Sequence, residues 1–301
     1  MRGLVLNQSE KRLRGTFSDY LQLMKPGIMV LLVFEALTAM IVAAGRNVQI
    51  LPLVWLSLAG ILASGGSAAL NHYLERNRDV LMSRTENRPV ATNKIPPKNA
   101  LVFGVVTIAI GLALAIVAFN LITMLMILCG ALSYVFVYTL YLKPRTHWNI
   151  VIGGIAGVFP ALTGWASVTN SIGWPSIFIG ALVFLWTPPH FWGLSMKFKE
   201  DYVKSGYPML PVVKNQKQVI NWIVYSSIPL LPFSLLPLAI HAFGSFNFIY
   251  YAMAVVMGLA FIWVDIKMLQ KPTTDNAFKA FLISLPYLFI LFAGMIASAV
   301  I

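Results

Sequence analysis

Residues 100–119 read ALVFGVVTIAIGLALAIVAF, and this stretch decides the class of fold to which the chain belongs. The stretch contains no charged side chain, and its apolar character is continuous instead of alternating. Because the hydrocarbon layer of a bilayer is roughly 30 Å thick and a helix rises 1.5 Å per residue, about 20 apolar residues can cross it. The stretch therefore predicts a transmembrane helix and argues against a strand of a β-barrel.

Apolar segments of this kind repeat along the chain. Hydrophobic residues make up 58% of its 301 residues and charged residues only 11%, whereas soluble proteins carry roughly 25% charged residues. We therefore predict an all-α, polytopic membrane protein with about nine transmembrane helices. Their expected positions are about 27–44, 50–70, 100–119, 121–142, 150–168, 175–196, 219–243, 246–264 and 278–301.

The distribution of Lys and Arg predicts how the chain is oriented. If the nine segments cross in alternation, all of the 22 cationic residues except Arg46 fall on one side. Lys and Arg are retained on the cytoplasmic face, so we predict a cytoplasmic leader at 1–25 and a transmembrane domain at 26–301. The leader lacks the apolar run of a secretory signal. We expect a plasma-membrane protein with its C-terminus outside, whose net charge of +12 reflects cytoplasmic loops and no nucleic acid partner.

A first polar cluster follows the second apolar segment. Asn71, Glu75 and Asp79 are spaced by four residues, which places them on one face of a helix that continues this segment. Oxygen ligands of this type suit Mg²⁺, which is often held by one or two carboxylates and substrate phosphates. Arg84 and Arg88 follow, and arginine binds phosphate in a bidentate manner. The alternative is a solvated helix end whose mixed charges pair on the surface.

A second polar cluster follows the sixth apolar segment on the same side. Lys197 and Asp201 are again spaced by four residues, and the two clusters together could hold a diphosphate between metal and lysines. Pro188-Pro189 should break or kink this segment, and broken helices at membrane depth usually line a cavity. His190 is adjacent, either as a packing residue or as a heme ligand or proton shuttle.

Two features inside the membrane segments are also informative. Glu35 lies in the middle of the first segment, where an ionisable residue is costly and is a functional candidate by default. The fifth segment contains four glycines, which predict close helix packing; they are Gly153, Gly154, Gly157 and Gly164.

These motifs resemble those of the UbiA-type intramembrane prenyltransferases, and within that family they are most similar to the branch that acts on heme. The resemblance covers most of the chain. Glu75 departs from the family pattern, which usually has Asp there, although glutamate also binds Mg²⁺. The matching stretches are Lys25-Pro26-Gly27, Asn71 to Asp79, Met82, Arg84-Thr85, Asn87-Arg88-Pro89, Tyr138-Thr139, Leu142-Lys143, Asn149 to Gly154, Trp186 to Trp192, Lys197 to Tyr202, Gly206 and Pro208 to Val213.

The resemblance implies that a farnesyl group passes from farnesyl diphosphate to a vinyl group of heme B, with Mg²⁺ as cofactor and the bilayer as surroundings. It implies a metal site at Asn71, Glu75, Asp79 and Asp201, and a role for His190 in orienting heme. It also implies a heme A synthase or terminal oxidase downstream. The residues expected to contact diphosphate or heme propionates are Lys25, Arg84, Arg88, Lys143, Lys197 and Lys199.

Three other functions are compatible with parts of the sequence. A prenyltransferase for an aromatic quinone precursor would share the first cluster. A transporter would suit the glycine-rich helices and Glu35, although its polar residues should lie near the midplane. A passive heme-binding protein would bind heme and ignore farnesyl diphosphate.

Overall fold

The computed structural model describes residues 15–244 and 246–301, so the first 14 residues of the predicted leader lie outside it. In the described part every regular element is helical and no strand is present. Nine helical runs there are long and apolar enough to cross a membrane, which confirms the predicted class of fold. These spans are Pro26–Asn47, Ile50–Asp79, Pro97–Ala118, Leu121–Leu142, Asn149–Thr169, Trp174–Lys197, Gln216–Leu238, Phe248–Gln270 and Thr274–Val300.

Several spans are composed of more than one helix. A π-helical stretch, Ser133–Leu142, which we call the π segment, completes the fourth span. Short 3₁₀ turns occur at Gly45–Asn47, Gly154–Val158, Leu236–Leu238 and His241–Phe243. The α-helices, in chain order, are α1 (Phe17–Leu23), α2 (Pro26–Ala44), α3 (Ile50–Asp79), α4 (Pro97–Ala118), α5 (Leu121–Leu132), α6 (Asn149–Gly153), α7 (Phe159–Thr169), α8 (Trp174–Lys197), α9 (Lys199–Lys204), α10 (Leu210–Val213), α11 (Gln216–Ser227), α12 (Leu230–Ser234), α13 (Phe248–Gln270) and α14 (Thr274–Val300).

Helix α3 carries the first polar cluster on a continuous helix of 30 residues. The predicted apolar segment ended at residue 70, and the expected helical continuation through the polar residues is confirmed. Small residues let α4 pack closely against it, since a Cβ atom on Gly66 would lie only 2.6 Å from the carbonyl oxygen of Gly104. The neighbouring helix therefore holds α3 in place along the part that leads to the polar cluster.

Helix α8 is the most buried of the nine spans, and the prediction that Pro188-Pro189 breaks it is wrong. Both prolines are buried inside one continuous helix. Each proline lacks a backbone N–H, but membrane helices tolerate this loss where neighbouring helices surround them. Helix α14 is such a neighbour, because the indole of Trp186 donates a hydrogen bond to the carbonyl oxygen of Ser284 at 2.7 Å.

The seventh span shows the interruption that the sixth does not. We predicted one helix over 219–243, whereas α11 ends at Ser227 and is followed by α12 and a 3₁₀ turn. Pro229, Pro232 and Pro237 are spread along this stretch. Since each removes a donor from a different turn, no continuous ladder of helical hydrogen bonds forms beyond α11.

The predicted close packing of the fifth span is clearest at Gly164. A Cβ atom there would overlap the carbonyl oxygen of Ala36 in α2. The backbones of α2 and α7 are therefore in direct contact, as small residues permit in membrane proteins. This contact supports one wall of the cavity described below.

We predict that Gly164→Ala lowers the free energy of unfolding by about 1–3 kcal/mol, because an overpacked contact must shift to admit the methyl group. Thermal unfolding of the purified protein in detergent measures this as a lower Tm. Gly154→Ala is the matched control, since its Cβ would meet its nearest neighbours at 3.4 and 3.5 Å. An unchanged Tm for Gly164→Ala, or an equal loss in both variants, would contradict the argument.

Candidate functional site

Three oxygen-bearing side chains line one buried face at the end of α3. Asn71, Glu75 and Asp79 are 1%, 4% and 2% exposed. Spaced by four residues, they lie one above the other on the helix. Buried carboxylates require compensating charge, so the residues around them decide what this face can do.

The π segment supplies part of this charge. The backbone N–H of Lys143 donates to the carbonyl oxygen of Tyr138 at 2.8 Å, a bond across five residues. The ammonium of Lys143 pairs with the carboxylate of Glu75. Thr139, one turn earlier, accepts a hydrogen bond from the Asn71 amide at 3.1 Å. Wide π-helical turns occur frequently at functional sites, and this one directs both side chains toward α3.

Lys25 approaches the same face from the beginning of α2. It has a left-handed backbone conformation with φ of 51°, which turns the chain between α1 and α2. Its ammonium donates to Asn71 Oδ1 at 2.5 Å and to the Tyr134 hydroxyl at 3.4 Å. Burial lowers the pKa of the Lys25 ammonium well below its usual range, and the nearby guanidinium of Arg88 lowers it further.

Arg88 completes the set of cations. Its guanidinium lies 2.8 Å from Asp79 Oδ1 and 3.6 Å from Glu75 Oε2. Burial opposes its charge, but the Asp79 carboxylate prevails and raises the pKa of Arg88. For Lys143 burial prevails over the attraction of Glu75, and its pKa is lowered. Three basic side chains thus surround two carboxylates, and this arrangement suits an anionic ligand, whose charge would favour the protonated form of both lysines.

Tyr207 borders the cluster and was not singled out in the sequence. Its ring centroid lies 4.6 Å from the Lys143 ammonium and 4.4 Å from the Arg78 guanidinium. Burial raises the pKa of the Tyr207 hydroxyl, so the side chain stays neutral and contributes a cation–π contact. The residue lies directly before the Pro208 to Val213 stretch, which was the available signal in the sequence.

The second cluster contacts the loop that follows α3. Asp201, in α9, accepts hydrogen bonds from the Ser83 hydroxyl at 2.9 and 3.1 Å and from the Arg84 backbone N–H at 3.2 Å. Burial opposes ionisation of Asp201, but the hydrogen bond from Ser83 lowers its pKa. Asp201 therefore fixes the loop that also carries Arg88. Ser83 was missed in the sequence because its role depends on a contact between residues 118 positions apart.

The remaining predicted cations lie on the protein surface beside the second cluster, and we call this part of the surface the rim. Arg84, Lys197 and Lys199 are exposed. The Arg84 guanidinium lies 5.6 Å from the ring centroid of Phe198, and the Lys197 ammonium lies 3.9 Å from that of Phe278. These contacts place two of the three cations on aromatic rings beside the second cluster.

His190 faces α14. Its ring stacks on Trp186 at 4.0 Å between centroids, and its Nδ1 lies 2.6 Å from the Ser284 hydroxyl. The neighbouring residues Thr187 and Phe191 line the apolar cavity described in the next paragraph, whereas His190 is not among the described residues that line it. The structure therefore does not bring His190 to the first cluster. Its place is that of a hydrogen-bonded packing residue.

A cavity of about 320 Å³ begins at the first cluster, beside Lys25, and extends between α2, α3, the π segment and α8. Lys25, Tyr134 and Tyr138 line its polar end. The lining residues of α3 run from Ala68 back to Leu56, which corresponds to about 18 Å of helix. Its walls are mainly apolar. The cavity therefore suits an extended apolar chain whose charged end lies at the cluster.

The oxygen ligands of the cluster fit Mg²⁺ in part. Asn71, Glu75 and Asp79 offer an amide and two carboxylates, and Mg²⁺ is usually held by one or two carboxylates together with substrate phosphates. No group of three or more His, Cys, Asp or Glu side chains that could hold a metal occurs within residues 15–244 and 246–301. Asp201 in particular engages both oxygens with Ser83 and Arg84. A metal here would need the oxygens of an anionic ligand.

The fold and this site define an intramembrane enzyme that receives a molecule with an anionic head and a long apolar tail. The chain belongs to the UbiA prenyltransferase family, whose model matches residues 32–293. It is 38% identical to the protoheme IX farnesyltransferase of Acidiphilium cryptum (strain JF-5), with 94% of this chain and 91% of that protein covered. To protoheme IX farnesyltransferase 1 of Saccharopolyspora erythraea it is 39% identical, with coverage of 96% and 92%.

A longer relative and two solved structures are also similar. The chain is 38% identical to the protoheme IX farnesyltransferase of Roseiflexus sp. (strain RS-1), of which it spans about half, 52%. A digeranylgeranylglyceryl phosphate synthase shares the fold with a TM-score of 0.76, 17% identity and coverage of 94% and 98%. A UbiA homolog from Archaeoglobus fulgidus bound to GPP and Mg²⁺ has a TM-score of 0.65, 17% identity and coverage of 92% and 99%.

We predict that Glu75→Gln lowers the free energy of unfolding by about 3–5 kcal/mol, because it leaves the buried Lys143 ammonium without its carboxylate. The double variant Glu75→Gln/Lys143→Met should recover most of this loss. Thermal unfolding of the wild type, Glu75→Gln, Lys143→Met and the double variant forms a complete mutant cycle. Glu86→Gln, at an exposed acid in the next loop, is the control. Additive losses in the double variant would show that the pair is not coupled.

Proposed function

We propose that this protein transfers the farnesyl group of farnesyl diphosphate to a vinyl group of heme B and adds water, which gives heme O. The observation that carries the proposal is the convergence of Lys25, Arg88 and Lys143, which are half-buried or buried, at the polar end of an apolar cavity. This arrangement suits a diphosphate with a prenyl tail. The curated relatives are named for farnesyl transfer to protoheme IX, which favours heme over an aromatic quinone precursor, a transporter or a passive heme-binding protein.

The diphosphate would lie where the cations converge. Lys25, Arg88 and Lys143 would donate to its oxygens, and charge-assisted hydrogen bonds of this kind are the strongest in proteins. As it binds, it competes with Glu75 and Asp79 for these cations. The carboxylates would then be released toward a metal ion, with the Asn71 amide beside them.

Mg²⁺, when bound, would neutralise the charge that develops on the departing diphosphate. Asn71, Glu75 and Asp79 are the residues that would hold it, together with the diphosphate oxygens. Asp201 remains a predicted ligand, and its hydrogen bonds secure the loop that carries Arg88. The structure of the Archaeoglobus fulgidus homolog bound to GPP and Mg²⁺ supports metal dependence in this fold.

The transfer breaks the bond between the first carbon of the farnesyl chain and the diphosphate oxygen, and diphosphate leaves with the electron pair. The vinyl π electrons of heme B form the new carbon–carbon bond to that farnesyl carbon. The resulting cation beside the porphyrin takes up one water and releases one proton. The apolar walls exclude water from the farnesyl cation until the bond has formed.

The rim cations would receive the acceptor. Arg84, Lys197 and Lys199 are exposed beside the second cluster and would pair with the heme propionates. The role of His190 in orienting heme would require it to leave Ser284. The product would pass to a heme A synthase or a terminal oxidase in the same membrane.

The proposed location is the plasma membrane, with the carboxylate cluster at the cytoplasmic face. The cations that surround it lie on the side that carries nearly all Lys and Arg residues, and such residues are retained in the cytoplasm. The described spans number nine, so the N-terminus and C-terminus would lie on opposite sides.

We predict that the purified protein, given heme B, farnesyl diphosphate and Mg²⁺, forms a heme that is heavier by one farnesyl group and one water. Mass spectrometry of the extracted heme measures the product, and a chelator should abolish it. Glu75→Gln and Asp79→Asn should each reduce turnover at least a hundredfold, whereas Glu86→Gln, an exposed acid in the adjacent loop, should not.

Two results would overturn this assignment. Near-normal turnover in both Glu75→Gln and Asp79→Asn would exclude the metal site. Unchanged heme in folded protein that still releases diphosphate when given an aromatic acceptor would reassign the substrate.

The orientation is tested by labelling intact cells with a membrane-impermeant maleimide. Cys129 is the single cysteine of the chain, so Cys129→Ala gives a cysteine-free background. Asn47→Cys, in the exposed turn after α2, should be labelled from outside, and Glu86→Cys only after the membrane is opened. The reverse pattern would invert the proposed orientation.

A further inference from the structure

A second concave site lies between α13 and α14, apart from the catalytic cavity. It is a groove of about 370 Å³, and it shares no lining residue with the cavity that begins at Lys25. The reaction proposed above makes no use of it. Its lining combines two cations, an amide, a tryptophan and aliphatic side chains, and includes Lys267, Lys279, Asn276, Trp263, Val264 and Ile283.

The charge of the groove suits an anion. Lys267 lies in the last turn of α13 and Lys279 in the second turn of α14, and both side chains are exposed. Lys271 in the connection adds a third cation, whereas Asp275 is the one exposed acid of this corner. The nearby Asp265 is buried and bonded to the Ser227 hydroxyl at 2.5 Å. The corner therefore carries a net charge of about +2 at neutral pH.

The groove also lies at a particular depth. Lys267 is three residues from the end of α13 and Lys279 five residues from the start of α14, which places both within roughly 8 Å of the membrane-surface ends of these helices. Trp263 lies one turn deeper, with the Lys267 ammonium 5.0 Å from its ring centroid. Tryptophan at this level is typical of the membrane interface.

Apolar side chains continue from the groove toward the bilayer centre. On α13 this residue is Val256, two turns before Trp263, and on α14 they are Pro286 and Ile290, two turns after Lys279 and Ile283. They therefore share the helix faces that line the groove. A ligand in the groove would therefore have a charged end at the surface and an apolar part that runs along both helices. A free anion would use the lysines alone and leave the apolar path without a function.

We propose that this groove binds an anionic phospholipid, with its phosphate between Lys267 and Lys279 and its acyl chains along α13 and α14. Basic pockets between transmembrane helices recognise anionic headgroups in this way. Asn276 would donate to a headgroup oxygen, and Trp263 would pack on the glycerol region. The site is a lipid-binding site that is separate from substrate binding.

Trp263 provides the reporter for the test. The full-length protein is reconstituted in phosphatidylcholine vesicles that contain a minor fraction of brominated phosphatidylglycerol or of brominated phosphatidylcholine. Bromine quenches tryptophan fluorescence on contact, so we expect greater quenching by the anionic lipid. Trp263→Phe should abolish this excess.

Lys267→Gln/Lys279→Gln should weaken the apparent affinity for the anionic lipid roughly 25-fold, about fivefold for each lysine. Lys271→Gln is the control, and because Lys271 does not line the groove, this variant should have a much smaller effect.

Several outcomes would overturn the proposal. Equal quenching by the two lipids would exclude selective binding, and an excess that survives in the double lysine variant would exclude binding of the phosphate by these lysines. Loss of the excess on addition of inorganic phosphate would identify a site for free anions. If the double variant weakened heme binding but left the lipid excess unchanged, the groove would belong to the acceptor. These results do not depend on farnesyl transfer, so they are distinguishable from a failure of the proposed function.

Discussion

The structure depends on one buried face of α3, which binds cations from three different parts of the chain. Glu75 pairs with Lys143, which directly follows the π segment, and Asp79 pairs with Arg88 from the loop after α3. A buried charge without a partner costs several kcal/mol, so these pairs fix the positions of the elements that supply them. Lys25 lies at the junction of α1 and α2, and its hydrogen bond to Asn71 attaches this junction to the same face of α3. The rigid face that results is the polar end of an otherwise apolar cavity.

The same pairs give the site its chemical character. A cluster with equal numbers of carboxylates and basic side chains would have little attraction for a polyanion, whereas the one additional basic side chain here favours binding of a polyanion. Because these residues lie in surroundings of low polarity, electrostatic interactions there are stronger than in water. The second cluster contributes indirectly, since Asp201 holds the backbone at Arg84 and thereby the loop on which Arg88 is placed.

Proline shows how tertiary packing overrides a local signal. Pro188-Pro189 are adjacent and enclosed by neighbouring helices, and α8 continues through them. The three prolines of the seventh span are separated by three to five residues and interrupt successive turns. In the sequence alone the two stretches look alike, because each proline removes one backbone hydrogen-bond donor from the helix. The difference arises from surroundings that a local pattern does not contain.

Hydropathy and helical periodicity are local properties, so the sequence was enough to predict the membrane class, the nine spans and the shared face of Asn71, Glu75 and Asp79. It was not enough to predict the direction in which Lys143 points. In a regular α-helix Lys143 would follow Tyr134 by about two and a half turns and point to the opposite face. The π segment brings Lys143 and Tyr134 to one side. Likewise, Ser83 meets Asp201 and His190 turns to Ser284 only through packing between distant parts of the chain, since such contacts depend on how whole helices pack.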